Sequence, residues 1–266
     1  MTNHTLKIKI LLEGDSMKKG ISLATMIIEK SLDEDIEFEI ASLLREISTY
    51  TYEKPTFNNE LNSFISKLTE DQILTIKGYT GLESKKINAI LRNNWNYEEH
   101  GLKTSDEEHK LYQDIAIIDK LIDSYPKTKN AFIVYRGTPL DSLKKYGINT
   151  LEDIMHLKGK FMYEEGFTST SIEEKESYFK KEVYGKINNI EIKYIIPPNS
   201  QDGIPLTTEE LSYSTNQQEY LIERHSLSKV IDVEINDNTA VITALLIPKS
   251  IWNKNIKSSD KKEVKK

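Results

Sequence analysis

The sequence of 266 residues contains no cysteine. This absence excludes disulfide bonds, cysteine-ligated zinc, iron–sulfur clusters and a thiol nucleophile. The chain also lacks an apolar run near the roughly 18 residues that a membrane-spanning helix needs. Residues 1–14 contain no apolar stretch long enough for a secretory signal peptide, so we expect either a cytoplasmic protein or the mature fragment of a secreted one.

The chain carries more negative than positive charge, and few of its basic residues are arginines. The chain has 36 basic and 42 acidic residues and a formal net charge of −6, which argues against nucleic-acid binding through broad phosphate neutralisation. Only four of the basic residues are arginines: Arg45, Arg92, Arg136 and Arg224. In so lysine-rich a chain, an arginine is expected where a planar five-donor group must bind a phosphate or carboxylate. An ordinary surface arginine is the alternative for each, so the local context decides.

The first half of the chain has the pattern of helices. Residues 1–32 form an arm of unknown role, whereas from about 33 to 123 apolar residues recur at spacings of three and four. Thr69 predicts a helix start, and a stop before a second helix is predicted at 79–81. These residues therefore predict helices around a shared core.

The second half has the pattern of strands. Short β-branched or aromatic runs are bounded by Gly, Pro, Asn or Asp at 131–135, 190–196, 219–222, 230–235 and 240–247. Helices followed by strands predict a single α+β domain over residues 33–253 rather than an alternating α/β sheet. Residues 254–266 form a lysine-rich tail with little apolar surface to bury.

Four short segments carry polar residues that are suited to chemistry. In the first, Arg136-Gly137 ends an apolar strand, where a glycine lets backbone or a ligand approach closely. In the second, Ser169-Thr170-Ser171 would place two serines on one strand face and the threonine on the other. A structural ion pair at the arginine, and hydroxyl groups that only fill space, are the alternatives.

The other two segments hold amides, a carboxylate and a further arginine. Gln217 and Glu219 would share a face at the start of a strand, after a polar loop in which Tyr213 is the lone aromatic residue. An amide beside a carboxylate could bind a substrate amide and stabilise a developing cation, with solvated residues at a strand entrance as the alternative. Asn88 and Arg92 are four residues apart and would be neighbours on one helix face, or simply part of an exposed polar face.

In this order, the four segments together resemble the bacterial mono-ADP-ribosyltransferase toxins of the Arg, Ser-Thr-Ser, Gln-x-Glu class, and within it the clostridial Rho-modifying exoenzymes. The resemblance covers about residues 40–248. It implies the α+β ADP-ribosyltransferase fold, in which two roughly perpendicular β-sheets flanked by helices hold NAD in the cleft between them, with an N-terminal helical portion. Four segments in family order are far more specific than any single one.

The resemblance also implies a role for each matching residue. Glu219 would stabilise the oxocarbenium-like transition state as nicotinamide leaves, and Ser169 would position its carboxylate. Gln217 would hold the acceptor side chain, and Tyr213 would help to recognise the substrate protein. The residues implied to contact NAD are Tyr79, Asn88, Arg92, Arg136, Gly137, Thr170, Ser171 and Phe179.

The sequence departs from the family pattern at two places. The stretch 178–181 contains Phe179 but has Lys181 where the family commonly has an arginine, so the affinity for NAD can differ. The aromatic residue that Rho-modifying members carry three positions before the Gln is replaced by Ser214, with Tyr213 adjacent. The resemblance therefore leaves the identity of the target protein open.

The function predicted in this way is transfer of ADP-ribose from NAD to an Asn or Gln side chain of a host protein, with a Rho-type small GTPase as the expected target. A neutral amide at Gln217 suits an amide acceptor, whereas arginine-modifying relatives carry glutamate there. An NAD glycohydrolase and a catalytically inactive NAD-fold binding module are the alternatives. NAD is the expected co-substrate, no metal is implied, and a monomer is expected that by resemblance is secreted and acts in the host-cell cytosol.

Overall fold

Helices occupy the first half of the computed structural model, which describes residues 34–92, 105–183 and 185–252. The predicted arm at 1–32 and the predicted tail at 254–266 lie outside these residues. The helices are α1 Glu34–Ile47, α2 Asn58–Ile65, α3 Glu70–Gly78, α4 Ser84–Leu91 and α5 Ser105–Ser124, and α6 Lys249–Trp252 follows the last strand.

The start of α3 and the break before α4 are as predicted. Thr69 caps α3 by accepting a hydrogen bond from the Gln72 amide, while the Gln72 side chain accepts one from the Thr69 amide, which is a capping box. A five-residue π-helical turn, Tyr79–Glu83, then follows α3 and contains a kink at Gly81, where φ is −97° and ψ is −122°. Tyr79, the first residue of this turn, is fully buried.

Ten strands make up most of the second half of the described chain. The five predicted strand runs are confirmed as β1, β6, β8, β9 and β10, and the strand expected at Ser169-Thr170-Ser171 is β3, whereas β2, β4, β5 and β7 were not predicted. The strands are β1 Phe132–Thr138, β2 Phe161–Glu164, β3 Thr168–Ser171, β4 Glu182–Val183, β5 Lys186–Ile187, β6 Ile190–Ile196, β7 Gly203–Leu206, β8 Glu219–Ile222, β9 Ser226–Asn236 and β10 Thr239–Ile247. Strands β4 and β5 form a small separate hairpin.

The other eight strands are hydrogen-bonded in the order β2-β9-β10-β6-β1-β3-β8-β7. The two sheets expected from the resemblance are thus joined, because β1 and β3 pair at one point, Tyr135 with Ser171. By contrast, β1 pairs with β6 along its whole length, from Phe132 to Thr138. The narrow joint separates a five-stranded part, β2-β9-β10-β6-β1, from a three-stranded part, β3-β8-β7.

Separate hydrophobic cores stabilise the two parts of the sheet. The core under the three-stranded part contains α2 to α5 and includes Leu61, Ile76, Ile118 and Leu221. The core under the five-stranded part includes Leu143, Ile154, Ile192 and Ile242. A further core cluster packs across the β1–β3 joint, because it contains Phe132 of β1 and Tyr220 of β8, whose ring centroids lie 5.3 Å apart. The joint is thus held by side-chain packing as well as by the pairing of Tyr135 with Ser171.

Candidate active site

Three of the predicted residues meet at the joint between β1 and β3. Arg136 in β1 donates a hydrogen bond from Nη1 to the Ser169 carbonyl oxygen in β3, at 2.8 Å. The Ser169 hydroxyl is hydrogen-bonded to the carboxylate of Glu219, the first residue of β8. Strands β3 and β8 pair Ser171 with Glu219, so Ser169 lies diagonally opposite the glutamate on the same face.

The Glu219 carboxylate is almost fully buried, with 6% of the residue exposed. Burial raises the pKa of Glu219, whereas the hydrogen bond from Ser169 and the positive charge of Arg136 lower it. Burial is the larger effect, so the pKa of Glu219 is raised overall and its ionised form depends on Ser169 and Arg136. In that ionised form, the buried carboxylate is suited to stabilise a positive charge that develops beside it.

Tyr79 is hydrogen-bonded to the Ser169 hydroxyl, which in turn contacts the Glu219 carboxylate. Its side chain is completely buried and packs edge-on against Phe167, with 5.6 Å between ring centroids. The Tyr79 hydroxyl accepts a hydrogen bond from Asn88 Nδ2 at 3.1 Å and is also bonded to the Ser169 hydroxyl. Because Ser169 has one proton to donate to Glu219, Tyr79 donates its own proton to Ser169. The result is a chain of hydrogen bonds from Asn88 through Tyr79 and Ser169 to the carboxylate.

Arg92 lies at the end of α4 and faces the turn between β2 and β3. Its Nε donates to Glu164 Oε1 at 2.8 Å, and Lys145 Nζ lies 3.3 Å from Glu164 Oε2. Burial alone would raise the pKa of Glu164, but Arg92 and Lys145 lower it overall. A Cβ atom at Gly166 would lie 2.6 Å from Asn88 Oδ1 and 3.1 Å from Arg92 Nη2, so the α4 side chains require glycine there.

A cavity of about 300 Å³ opens beside these groups and is lined by Arg92, Arg136, Lys145, Glu164 and Tyr194 among others. Two guanidinium groups and an ammonium group form a donor set that fits the phosphates of a dinucleotide. The buried Oδ1 of Asn88 has no hydrogen-bond partner among the described residues, and Asn88 is not one of the residues that line this cavity. Within residues 34–92, 105–183 and 185–252, no cluster of His, Asp or Glu side chains is arranged to bind a metal ion.

Four residues implied to contact NAD make contacts with the protein itself. The Thr170 hydroxyl donates to the Tyr220 carbonyl oxygen at 2.5 Å, and the Ser171 hydroxyl donates to the Gln217 carbonyl oxygen at 2.7 Å. Gly137 packs against the backbone of residues 177–179, where a Cβ would lie 2.5 Å from the Phe179 nitrogen. These residues therefore shape the loops beside the cavity, including the loop that carries Phe179.

Gln217 lies outside the strand in which it was predicted. Residues Thr215–Gln217 form a 3-10 turn, Gln218 has a left-handed backbone with φ of 47°, and β8 begins only at Glu219. The predicted strand alternation between Gln217 and Glu219 is therefore wrong, because the turn intervenes. Tyr213 precedes this turn with 66% of its surface exposed, and Lys77 Nζ lies 5.1 Å from its ring centroid.

Lys145 and Glu164 were missed by sequence reasoning. Lys145 lies in a 3-10 helix, Leu140–Tyr146, and reaches both Glu164 and Glu165 across the β2 edge. The only sequence signal was the acidic pair directly before Gly166. No local pattern links that pair to a lysine about twenty residues earlier, so the ion pairs become visible only in the fold.

A buried glutamate hydrogen-bonded to a serine, with an arginine bonded to the carbonyl of the same serine, agrees with the arrangement that the resemblance to ADP-ribosyltransferases implies. The sequence profile of the ADP-ribosyltransferase exoenzyme family matches residues 54–250. The chain belongs to this family and is an NAD-dependent ADP-ribosyltransferase. No curated protein sequence matches the chain.

Several solved structures share the fold. C3stau2 from S. aureus, solved with NAD, is 23% identical with a TM-score of 0.55, over 71% of this chain and 92% of that one. The C3 exoenzyme of Clostridium limosum is 21% identical with a TM-score of 0.53, over 74% and 98%. An ADP-ribosyltransferase from Clostridium botulinum is 25% identical with a TM-score of 0.53, over the same shares. Among the described residues, no helix is both long and apolar enough to cross a membrane.

Proposed function

We propose that the protein transfers ADP-ribose from NAD to an Asn or Gln side chain of a host protein, and that this acceptor is a Rho-type small GTPase. The observation that carries the proposal is the pairing of a buried carboxylate, Glu219, with a neutral amide, Gln217, across one turn of chain. The resemblance to the Rho-modifying exoenzymes, which the family membership supports, suggests the class of target.

The proposed catalytic group is Glu219. NAD supplies the ADP-ribosyl group: the bond between its ribose and nicotinamide breaks, nicotinamide leaves, the acceptor amide nitrogen bonds to the ribose carbon, and the proton that this nitrogen loses passes to water. Glu219 would bind the ribose and stabilise the positive charge that develops there, because its carboxylate is buried and fixed before the reaction begins. Ser169, with Tyr79 behind it, would hold the carboxylate in place.

Arg136 and Arg92 are the proposed phosphate contacts. Both line the cavity, and both present guanidinium groups that can bind phosphate oxygens in pairs. Arg92 is bonded to Glu164 in this structure, so phosphate binding would add to that ion pair or replace it. Lys145 lies on the other oxygen of the same carboxylate and is a third cation available to the phosphates.

Gln217 is the proposed acceptor contact. Its amide can donate to the carbonyl oxygen of an Asn or Gln side chain and accept from its nitrogen, whereas a carboxylate could only accept. A guanidinium acceptor would instead favour a carboxylate at this position. Tyr213 is exposed next to the same turn and would contact the surface of the acceptor protein.

The direct test is incubation of the full chain with labelled NAD and a purified Rho-type GTPase, with a Ras-type GTPase as the matched control. We expect one label per Rho-type molecule, located by mass spectrometry on an Asn or Gln. Nicotinamide release without labelled protein would support a glycohydrolase instead, and neither signal would support a binding module.

A substitution at Gln217 tests the division of roles. Gln217→Glu should abolish transfer to the amide acceptor while NAD glycohydrolysis stays within about tenfold of the parent, a factor that corresponds to 1.36 kcal/mol. Gln113→Glu, on the exposed surface of α5, is the control and should change neither activity. Loss of both activities in Gln217→Glu would place this residue in the NAD site, and loss of neither would remove the case for an amide acceptor.

A further inference from the structure

Gln217 has a partner that none of the roles above explains. Its Nε2 donates a hydrogen bond to the hydroxyl of Tyr178, in the loop that follows β3. We propose that Tyr178 is a positioning residue for the acceptor, whose hydroxyl holds the Gln217 amide in the orientation that receives the acceptor side chain. The inference rests on the proposed function of Gln217.

The loop backbone is held in a conformation that its own residues disfavour. Tyr178 has φ of 62° and Lys180 has φ of 60°, both in the left-handed region that non-glycine residues avoid. Such a conformation persists only where the surroundings determine it, and it is found most often where a side chain must be aimed at a functional site.

The surroundings that fix this loop are specific. The Gly137 amide donates to the Ser177 carbonyl oxygen at 2.5 Å, and the absence of a Cβ at Gly137 lets the loop backbone lie directly against β1. On the other side, the Lys180 amide donates to the Asn188 carbonyl oxygen at 2.7 Å, and Asn188 Nδ2 donates to the Tyr178 carbonyl oxygen at 3.3 Å. The loop is thus anchored to β1, the strand that carries Arg136.

The aromatic ring is also held in place. Lys181 Nζ lies 5.2 Å from the ring centroid of Tyr178, within the range of a cation–π contact. The lysine that stands where the family commonly has an arginine therefore contacts this ring. The tyrosine is 39% exposed, and its hydroxyl accepts the hydrogen bond of a long glutamine side chain that could otherwise rotate.

The geometry of a primary amide explains why the single hydroxyl of Tyr178 is enough to orient Gln217. A primary amide has two N–H donors and one carbonyl acceptor. When one N–H of Gln217 is bonded to Tyr178, the second N–H and the carbonyl oxygen stay available for an Asn or Gln acceptor, and the plane of the amide is set. Without the hydroxyl, the amide can rotate, and the acceptor must order it on binding.

Tyr178→Phe in the full chain tests this inference, with Tyr112→Phe on the exposed face of α5 as the matched control. We expect kcat/KM for the protein acceptor to fall about fivefold to tenfold relative to NAD glycohydrolysis, the effect of one lost hydrogen bond. The loss should be absent when Tyr178→Phe is added to Gln217→Ala, because the shared contact is already gone. Tyr112→Phe should leave both activities unchanged.

Three results would overturn the inference. Unchanged transfer in Tyr178→Phe would show that the hydroxyl is dispensable. An equal loss of transfer and glycohydrolysis would show that the loop acts on the NAD site, and a further loss in the Gln217→Ala background would show a role apart from Gln217. Failure of the proposed function would be visible beforehand, because the unsubstituted protein would then label no acceptor at all.

Discussion

Glu223, just after β8, is a buried acid whose ionisation should make the fold sensitive to pH. It is 5% exposed and lies beside Asp202, which is equally buried. The pKa of Glu223 is raised to about 8. Burial is the main cause, the negative charge of Asp202 also raises the pKa, and Lys249 lowers it. Asp202 accepts hydrogen bonds from the Ser200 hydroxyl at 2.6 Å and the Lys249 amide at 3.2 Å, and the Lys249 ammonium forms an ion pair with Glu223.

The sign of the effect follows from the raised pKa. The folded protein holds a proton on Glu223 up to about pH 8, whereas the unfolded chain releases it near 4.5. Stability is therefore greatest below pH 4.5 as far as this group is concerned, and it declines as pH rises from there to 8. At 1.36 kcal/mol per pH unit, the decline amounts to about 4 to 5 kcal/mol, which is a large share of the stability of a typical domain.

The substitution Glu223→Gln keeps a donor for Asp202 and removes the titratable group. We expect the variant to have a free energy of unfolding in urea that is close to the parent at pH 5 and higher by several kcal/mol at pH 9. Glu210→Gln, at an exposed loop position, is the control and should leave the pH dependence of the parent unchanged. Parallel curves for the parent and Glu223→Gln across this range would show that Glu223 does not titrate between pH 5 and 9.

Two further predictions concern the site. Gly166→Ala should raise the KM for NAD about tenfold and lower the free energy of unfolding by about 1 to 2 kcal/mol, because its Cβ would displace Asn88 and Arg92 from their bonded positions. The control is Gly78→Ala, where the nearest atom to the new Cβ would be 4.0 Å away, and it should be stabilising by up to 1 kcal/mol. Equal unfolding curves for the two variants would contradict this prediction. Ser169→Ala should shift the acidic limb of the pH–rate profile to higher pH. The reason is that loss of the serine hydrogen bond raises the pKa of Glu219, and the reaction needs the ionised carboxylate. An unshifted limb would show that Ser169 does not stabilise the ionised form of Glu219.

Local signals in the sequence were enough to predict much of the fold. The start of α3 is encoded by a capping box within four residues, and long strands such as β10 are visible as β-branched runs. Strand β7 was missed because it contains Pro205 and begins at a glycine, both of which argue against a strand. Its place at the sheet edge explains why the proline is tolerated.

The candidate site likewise contains residues that the sequence predicts and contacts that it does not predict. Arg136, Ser169 and Glu219 could be proposed from the sequence because each stands in a motif with a recognisable order. The contact between Gln217 and Tyr178 joins residues 39 positions apart through a loop with two left-handed residues, which no short pattern predicts. Long-range packing fixes such contacts, so they required the structure.

Glu219 is proposed to stabilise the charge that forms as nicotinamide leaves, and two measurements on Glu219→Gln decide whether it does. Nicotinamide release should fall on the order of 10² to 10³-fold, while NAD affinity measured by calorimetry should stay within a few-fold of the parent, because the lost charge acts mainly in the transition state. Nicotinamide release within a few-fold of the parent would contradict the account, as would a loss that is matched by an equal loss of NAD affinity.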